Sequence, residues 1–317
     1  MMRGRRGRVL LAFAAVYVIW GSTYLAIRWA LVSFPPFTLA GVRFLIAGGV
    51  LTAWALARGA APPAAVHWRS AAIVGGLMLF GGNAAVVWAT QRAPSGLVAV
   101  LVAMVPFWMA LLSSVGPRRV PLRWPTMAGV AIGMAGIALL VRPGSLSSPG
   151  GVDPAAAGVL ALGSLSWASG SLLARRVPLP SAPLLAIGLE MLCGGALLAI
   201  AAAAAGEAPR VRWDALDARA VAALLYLVAF GSIVAFTAYI WLLGATTPAR
   251  VSTYAFVNPV VAVALGWAFA GEPVTARTAS ASALVVAAVA IITLAPAGGP
   301  RRAAAGASGG GAAPDAP

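Results

Sequence analysis

Ten long apolar runs, each followed by a short polar or proline-containing breaker, constrain this chain more than any other feature. A run of about 20 apolar residues crosses the hydrocarbon core of a bilayer as a helix. Only a helix satisfies its own backbone hydrogen bonds there without neighbouring strands. The sequence therefore predicts an all-α integral membrane protein with ten transmembrane helices. The predicted spans are 9–31, 36–58, 69–90, 95–115, 124–141, 154–174, 183–205, 218–242, 249–271 and 275–295.

Composition excludes several other classes of protein. The chain is 61% hydrophobic and 9% charged, whereas a soluble domain carries about a quarter charged residues. One Cys and one His are too few for an ordinary His/Cys metal site. The sequence also has no GxxxxGK[ST] segment, so ATP binding is not predicted. No cofactor and no metal are expected.

The chain repeats itself at a distance of about 150 residues. Residues 41–51 read GVRFLIAGGVL and residues 188–198 read GLEMLCGGALL, a shift of 147. Further along the shift becomes 153, which places Pro106 on Pro259. Five spans per copy put the second copy upside down in the membrane, since five is odd. Inverted repeats of this kind build alternating-access transporters around a central site.

The arginines give this arrangement an orientation. With the N-terminus inside, 14 of the 22 arginines fall in inner segments, 6 in outer segments and 2 within spans. Five acidic residues fall outside and one falls inside. The inner excess of arginine follows the positive-inside rule, with both termini cytoplasmic. The net charge of +15 is then a topology signal, and nucleic-acid binding is not expected.

The spans and the repeat divide the chain into five parts. They are a basic cytoplasmic N-terminus (1–8), a first five-helix repeat (9–141), an inter-repeat loop (142–153), a second five-helix repeat (154–295) and a disordered cytoplasmic tail (296–317). The tail is predicted from its Gly, Ala and Pro content, which cannot bury an apolar core.

Four stretches carry a family resemblance. They are YVIWGSTYLAIRWAL (17–31), PPFTLAGVRFLIAGG (35–49), SWASGSLLARR (166–176) and AFVNPVVAVALGWAFAGEPVT (255–275). They resemble EamA-type proteins of the drug/metabolite transporter superfamily over roughly residues 9–295. The first copy departs from the pattern, since it reads GPRRVP at 116–121 where the second has GEPVT. The resemblance implies a non-enzymatic, ten-helix inner-membrane carrier with a central cavity lined mainly by spans 1, 3, 4, 6, 8 and 9.

Five residues are candidates for the substrate cavity. Trp20 and Trp167 are equivalent in the two copies and lie near mid-span, deeper than interfacial anchors, where an indole can stack on a substrate. Asn83 is an amide at membrane depth that either contacts substrate or bonds across helices. Asn258 precedes a proline within its span, and Tyr254 lies one turn earlier, on the same face.

Two charged residues and two prolines complete the candidate set. Arg43 and Glu190 are equivalent in the two copies and lie at membrane depth, where a charge usually faces a bundle interior or a wet cavity. Glu190 either couples transport to protons or substrate cations, or is a fixed partner of Arg43 or another arginine. Arg43 is either functional or a structural anchor. Pro106 and Pro259 break the backbone ladder of their helices and are candidate hinges, or static kinks.

A secondary transporter of the bacterial inner membrane fits these features, with small organic metabolites, amino-acid-like or drug-like, as substrates. Export is the favoured direction, and protons are the candidate coupling ion. Its partners are the substrate and the bilayer, as a monomer or a homodimer. The alternatives are an uptake permease and a lipid-handling or channel-like protein. A scaffold would need longer loops, and an enzyme would need more carboxylates or histidines at one depth.

Overall fold

The computed structural model describes residues 2–115, 124–141, 153–246 and 251–294, and within these ranges the chain is helical without strands. The inter-repeat loop up to residue 152 and the predicted tail lie outside the described residues, apart from the loop's last residue, Asp153. The helices are α1 (Met2–Ala30), α2 (Pro36–Ala57), α3 (Ala65–Thr90), α4 (Ser95–Ser113), α5 (Trp124–Val141), α6 (Pro154–Leu173), α7 (Pro183–Ala204), α8 (Ala218–Ala245), α9 (Tyr254–Ala270) and α10 (Ala276–Leu294).

Seven of these helices, α1 to α4 and α6 to α8, are long and apolar enough to cross a membrane. The described parts of α9 and α10 include shorter apolar helices, Val257–Ala270 and Ala276–Ala288. Several boundaries differ from the predicted spans. α1 begins at Met2, so the basic residues before position 9 belong to the first helix. α3 begins at Ala65 and not at 69, and α8 ends at Ala245 and not at 242. The ten-span count and the inverted arrangement stay predictions.

Helices α2 and α7 meet backbone to backbone through glycines. A Cβ on Gly48 would lie 2.8 Å from the carbonyl oxygen of Gly188, and a Cβ on Gly195 would lie 3.0 Å from the backbone nitrogen of Leu45. A Cβ on Gly41 would lie 3.2 Å from the backbone nitrogen of Ala199. Early residues of one helix thus meet late residues of the other, so the two helices run antiparallel. Small residues permit such close approach between membrane helices.

Helices α5 and α10 use the same device. A Cβ on Gly133 would lie 3.2 Å from the Cβ of Ala288, and a Cβ on Gly136 would lie 3.1 Å from the carbonyl oxygen of Ala281. Small residues on a membrane helix favour close contact with another helix, either inside the bundle or across a dimer. These two glycines pack inside the chain.

Three helices are interrupted at membrane depth. α3 and α8 each contain a π-helical stretch, Gly76–Asn83 and Leu227–Val234. α4 is broken at Ala103 and Met104, between α-helical segments that end at Val102 and begin at Val105. π-Helical turns are frequent at functional sites, and the carbonyls they free need partners from neighbouring helices or water.

The connections before α2 and after α7 lie at the same end of the molecule. The carboxylate of Glu207 accepts from the backbone nitrogens of Phe37 and Thr38, at 3.2 and 2.7 Å. Ser33 donates to the carbonyl of Ala215 at 2.7 Å and accepts at its own carbonyl from Arg212. The acid satisfies donors of the first turn of α2, which have no partner inside the helix. Both connections were predicted on the outer side.

Candidate functional site

A cavity of about 70 Å³ lies between helices of both halves of the chain. Helices α1, α2, α3, α4, α6, α8 and α9 all contribute to its wall. The predicted cavity residues Trp20, Asn83, Trp167, Tyr254 and Asn258 all line it, and so does Arg43. α2 is the one lining helix that the resemblance did not include. This volume is below the usual range for small-molecule sites, about 300–1,000 Å³, so the helices must move apart to admit a whole ligand.

An aromatic cluster forms the wall between the two halves. The rings of Trp20 and Trp167 meet edge to face at 5.6 Å, and Tyr254 meets Trp20 edge to face at 5.2 Å. Tyr239 packs on both indoles and on Tyr254, with ring centres 4.9 to 5.8 Å apart. Phe236 closes the set at 6.0 to 6.5 Å from its neighbours. Such edge-to-face and tilted contacts suit the ring quadrupoles, and Trp20, Trp167, Tyr254 and Phe236 of this cluster also line the cavity.

Both indole nitrogens are bonded, which fixes the ring orientations. Trp20 Nε1 donates to the carbonyl of Gly231, in the π-helical stretch of α8, at 3.1 Å. Trp167 Nε1 donates to the Tyr239 hydroxyl at 3.3 Å, and that hydroxyl also lies 2.9 Å from Ser171 Oγ. Trp20 thereby supplies a hydrogen-bond donor to a carbonyl in the π-helical stretch of α8. The equivalent interruption in α3 is bonded by Ser166, whose hydroxyl donates to the carbonyl of Leu77 at 2.7 Å.

Arg43 is the one residue with a full charge on the cavity wall. Its side chain is 4% exposed, and Nε donates to Ser232 Oγ at 3.0 Å. The guanidinium carbon lies 4.3 Å from the centre of the Phe44 ring. Nη1 is buried and has no hydrogen-bond partner among the described residues. One edge of the guanidinium is therefore held in place while one of its terminal nitrogens is unsatisfied.

Two neutral polar atoms on the same wall are also unsatisfied. Asn83 Oδ1 and Ser164 Oγ are buried without a hydrogen-bond partner in the part of the chain that the structure describes. Asn258 differs, because its amide nitrogen, facing two carbonyls, donates to Tyr254 at 3.2 Å and Tyr17 at 3.1 Å. Asn258 thus bonds the carbonyl one turn before it, next to the proline.

Glu190 lies away from the cavity. It is 1% exposed, and Oε2 has no hydrogen-bond partner among the described residues. α7 carries it against α3, where a Cβ on Gly75 would collide with the Glu190 carbonyl oxygen. The ion pairs within the described ranges are Arg28–Glu272 and Arg212–Asp214. None joins Arg43 to Glu190, so the hypothesis of a fixed pair between them has no support.

The two prolines occupy different places in their helices. Pro106 lies in the first turn of the second segment of α4, just after the break at Ala103 and Met104. A proline is tolerated there because its missing N–H would have no helical partner. Pro259 lies inside α9, where it removes a helical hydrogen bond. Both adjoin the cavity wall through Val105 and Asn258. Their role as hinges stays a prediction.

A second polar cluster, built around Glu272, lies at one end of the bundle. α9 ends at Gly271, whose positive φ of 63° turns the chain back, and glycine adopts that conformation at little cost. The Glu272 carboxylate then accepts from the backbone nitrogens of Ser95 and Gly96, at 2.8 and 3.2 Å, and from Ser95 Oγ at 2.8 Å. Arg28 pairs with it at 3.2 Å. This acid caps α4 and joins three helices.

The remaining polar and aromatic predictions gave mixed results. A serine or threonine within a helix is expected to bond a carbonyl of its own helix, and Ser22, Thr23, Ser169 and Ser171 do so. Thr237 was expected to do the same and does not, since its buried hydroxyl has no partner among the described residues. Trp88 and Trp241, which the shift of 153 makes equivalent, do not line the central cavity.

Sequence reasoning missed Tyr239, Phe236 and Ser232. Tyr239 is fully buried within an apolar run, where a tyrosine raises no signal by hydropathy. Ser232 is also fully buried and stands in the π-helical stretch of α8. A period of one helical turn would have placed Phe236 and Tyr239 on one face of span 8, which the resemblance assigns to the cavity.

A family profile and several known proteins are similar to this chain, and they point to the same family. The sequence profile of the EamA-like transporter family matches residues 7–142 and again residues 155–294. The Escherichia coli K12 protein named "Uncharacterized inner membrane transporter YedA" is 43% identical over 264 residues, 82% of each chain. Protein PecM of Dickeya dadantii is 28% identical over 255 residues, 79% of this chain and 80% of its own.

A solved crystal structure extends the likeness to three dimensions. It superposes with a TM-score of 0.65 at 24% sequence identity, and the match covers 91% of this chain and 98% of the other. At that identity the likeness concerns the fold alone. The two profile matches and the 43% identical relative cover most of the described helices, and the chain belongs to the EamA-like transporter family.

Proposed function

We propose that this protein is a secondary active transporter of the bacterial inner membrane that moves small organic metabolites by alternating access. The observation that carries the proposal is the aromatic cavity, whose wall is drawn from seven helices of both halves. A site between two halves of a bundle can be opened to either side when the halves rock against each other. The name of the YedA relative supports the inner membrane.

The contact between α2 and α7 supports the inverted repeat. Under the shift of 147, Gly41 corresponds to Gly188 and Thr52 to Ala199. A Cβ on Gly41 would meet the Ala199 backbone nitrogen, and a Cβ on Gly188 would lie 2.9 Å from the Thr52 backbone nitrogen. The contact is thus the same from either side, as a two-fold relation between antiparallel helices requires. We infer ten spans in two inverted repeats, with both termini cytoplasmic.

The direction and the coupling of transport belong to the same proposal. Export of amino-acid-like or drug-like compounds is the favoured mode. Glu190 is the candidate for proton coupling, because it is a buried acid with an unsatisfied oxygen and lies beside the interrupted helix α3. The protein would act as a monomer or a homodimer.

Flux in proteoliposomes tests the transport proposal. Candidate substrates come from an untargeted comparison of the metabolites excreted with and without overexpression, and are then followed into vesicles. Trp20→Ala removes the centre of the aromatic cluster and should abolish flux of a compound that the wild type carries. Trp267→Ala is the control, since Trp267 is 64% exposed on α9. Folded wild-type protein that changes no compound in either assay contradicts the proposal.

A lateral groove favours lipid handling as a second candidate function. It is lined by α1, α2, the start of α7 and α8, and its wall includes Trp54, Trp241 and Arg8. Its lining is mostly apolar, and Trp54 is 53% exposed and Trp241 39%. A groove of this kind suits an acyl chain with its headgroup beside Arg8. Scrambling of a fluorescent phospholipid in protein-containing vesicles, without flux of water-soluble metabolites, would favour this function over the first.

A further inference from the structure

The central cavity contains a buried cation without a counter-ion. Arg43 lines the wall, is 4% exposed and leaves Nη1 without a partner among the described residues. A buried charge is normally paired or hydrogen-bonded, because its hydration is lost. An unsatisfied guanidinium nitrogen beside an open volume therefore points to a ligand that supplies the missing acceptor.

The chain has few acids that could fill this role. Of its seven acidic residues, six lie in the described ranges and none of the six lines the cavity. Glu207 and Glu272 are engaged in capping helices, and Asp153 and Asp217 cap the starts of α6 and α8. Asp214 is exposed beside Arg212, and the sixth, Glu190, is packed between α7 and α3.

Arg43 is also held in a fixed orientation. Ser232 accepts from Nε at 3.0 Å, and the Phe44 ring lies under the guanidinium. A fixed planar guanidinium can bind a carboxylate through two parallel N–H···O bonds, which a flexible ammonium does not offer. Since the orientation is set before a ligand arrives, less conformational entropy is lost on binding.

The other residues that line the cavity indicate what the uncharged part of the ligand should be. The rings of Trp20, Trp167, Phe236 and Tyr254 line the cavity and suit a flat apolar body. Such a body needs more room than the cavity's volume of about 70 Å³, so it would enter as the two halves move apart. Asn83 Oδ1 and Ser164 Oγ are unsatisfied on the same wall. They suit a hydrogen-bond donor on the ligand, since an amide oxygen only accepts and a hydroxyl can accept.

We propose that the central cavity binds a small organic anion, a carboxylate with a flat aromatic body, whose carboxyl group is held by Arg43 while its ring lies among the aromatic side chains. This substrate class rests on the proposed transport function and narrows it. It also assigns Arg43 to substrate binding, where the sequence left it as either a functional residue or an anchor.

Equilibrium dialysis of the full-length protein in detergent at pH 7.5 tests the charge preference without any mutation. The probes are indole-3-acetate and indole-3-acetamide, which share a ring and differ in charge, together with the cation tryptamine. We expect indole-3-acetate to bind about tenfold or more tightly than the amide, as an added charged hydrogen bond predicts. Equal binding of acid and amide, tighter binding of tryptamine, or binding of none of the three would overturn the proposal.

Substitutions then test whether Arg43 is the residue that makes the acid bind more tightly than the amide. Arg43→Gln should lower the affinity for the acid to that of the amide, and Arg43→Lys should recover part of it. Arg92→Gln is the matched control, since Arg92 is exposed and stacks on Trp88 outside the cavity. A preference for the acid that survives Arg43→Gln in folded protein would place the anion elsewhere. If Arg43→Gln does not fold, the wild-type comparison still decides the charge class.

Flux separates this inference from the transport proposal. Vesicles that carry indole-3-acetamide or tryptamine, but not the acid, would overturn the anion class and leave transport intact. Vesicles that carry none of the compounds, although the acid binds through Arg43, would support the site and count against transport.

Discussion

Arg43 and Glu190 hold equivalent positions in the two halves of the chain, yet their surroundings differ. Arg43 lines the central cavity and is held by Ser232 from the π-helical stretch of α8. Glu190 packs against α3, close to the start of its π-helical stretch, and does not line the cavity. Each charge thus lies near the interrupted helix of the opposite half, but only one meets open space.

Two residues at equivalent positions of the repeat thus lie near equivalent helices of the opposite half, but their side chains have different surroundings. Both charges lie in the paired helices α2 and α7, and both are buried. What distinguishes them is the surroundings of the side chain. Arg43 has a serine partner and lines the cavity, whereas the Glu190 carboxylate is buried off the cavity with Oε2 unbonded among the described residues. Four substitutions test this comparison, beginning with the largest expected effect.

The shared packing itself should be the most sensitive feature. In Gly48→Ala the new Cβ would lie 2.8 Å from backbone atoms of α7, so the two helices must separate. We expect the free energy of unfolding to fall by about 1–3 kcal/mol. Thermal unfolding in detergent measures it, with Gly49→Ala as the control, since a Cβ there meets nothing within 4 Å. Equal behaviour of the two variants would contradict the backbone contact.

Glu272 is a buried acid whose two carboxylate oxygens are both hydrogen-bonded, in contrast to Glu190, whose Oε2 has no partner among the described residues. Glu272→Ala removes a cap of α4 and a buried partner of Arg28, and should lower the free energy of unfolding by about 2 kcal/mol. Asp214→Ala breaks the exposed pair with Arg212 and should cost about 0.5 kcal/mol or less. Chemical denaturation of both variants measures the difference. An equally small loss for Glu272→Ala would show that the cluster does not stabilise its end of the bundle.

Ser232 should fix the orientation of the Arg43 guanidinium, because it accepts a hydrogen bond from Nε. Ser232→Ala removes the acceptor on Nε and should weaken binding of an aromatic carboxylate by about 1 kcal/mol, roughly fivefold. Ser169→Ala is the control, because Ser169 bonds the carbonyl of Leu165 within its own helix. Dialysis with indole-3-acetate reads out both. Unchanged affinity in Ser232→Ala would mean that the Phe44 contact alone orients the guanidinium.

Glu190 should have the smallest effect on binding. Glu190→Gln keeps the shape of the side chain away from the cavity, so affinity for the anion should stay within about twofold. Flux in proteoliposomes across pH should lose its pH dependence, because the group that would exchange protons is gone. Wild-type vesicles prepared in parallel are the control. A large loss of affinity would place Glu190 at the ligand, and an unchanged pH dependence would remove it from coupling.

Much of the helical framework was predictable because it depends on local sequence. Hydropathy and proline breakers gave 36–58 and 154–174 as spans, and the structure has helices at Pro36–Ala57 and Pro154–Leu173. The five cavity candidates were found because aromatic and amide side chains at mid-span have few other roles. Their use by a substrate stays a prediction.

The rest depends on contacts between distant parts of the chain. Glu272 caps Ser95, 177 residues earlier, and no local pattern pairs the two. The π-helical stretches of α3 and α8 carry ordinary apolar sequence, and their carbonyls are bonded by Ser166 and Trp20 of other helices. Thr237 shows the converse. A threonine within a helix is expected to bond a carbonyl of its own helix, but the hydroxyl of Thr237 has no partner among the described residues.

The glycine contact between α2 and α7 also bears on how the chain could have diverged after duplication. A larger residue at Gly41 or Gly48 would strike the other copy, and so would one at their counterparts Gly188 or Gly195. Each copy thus restricts the drift of the other at matching sites. This mutual restriction accounts for the clear likeness that remains between GVRFLIAGGVL and GLEMLCGGALL, since the two copies touch through these segments.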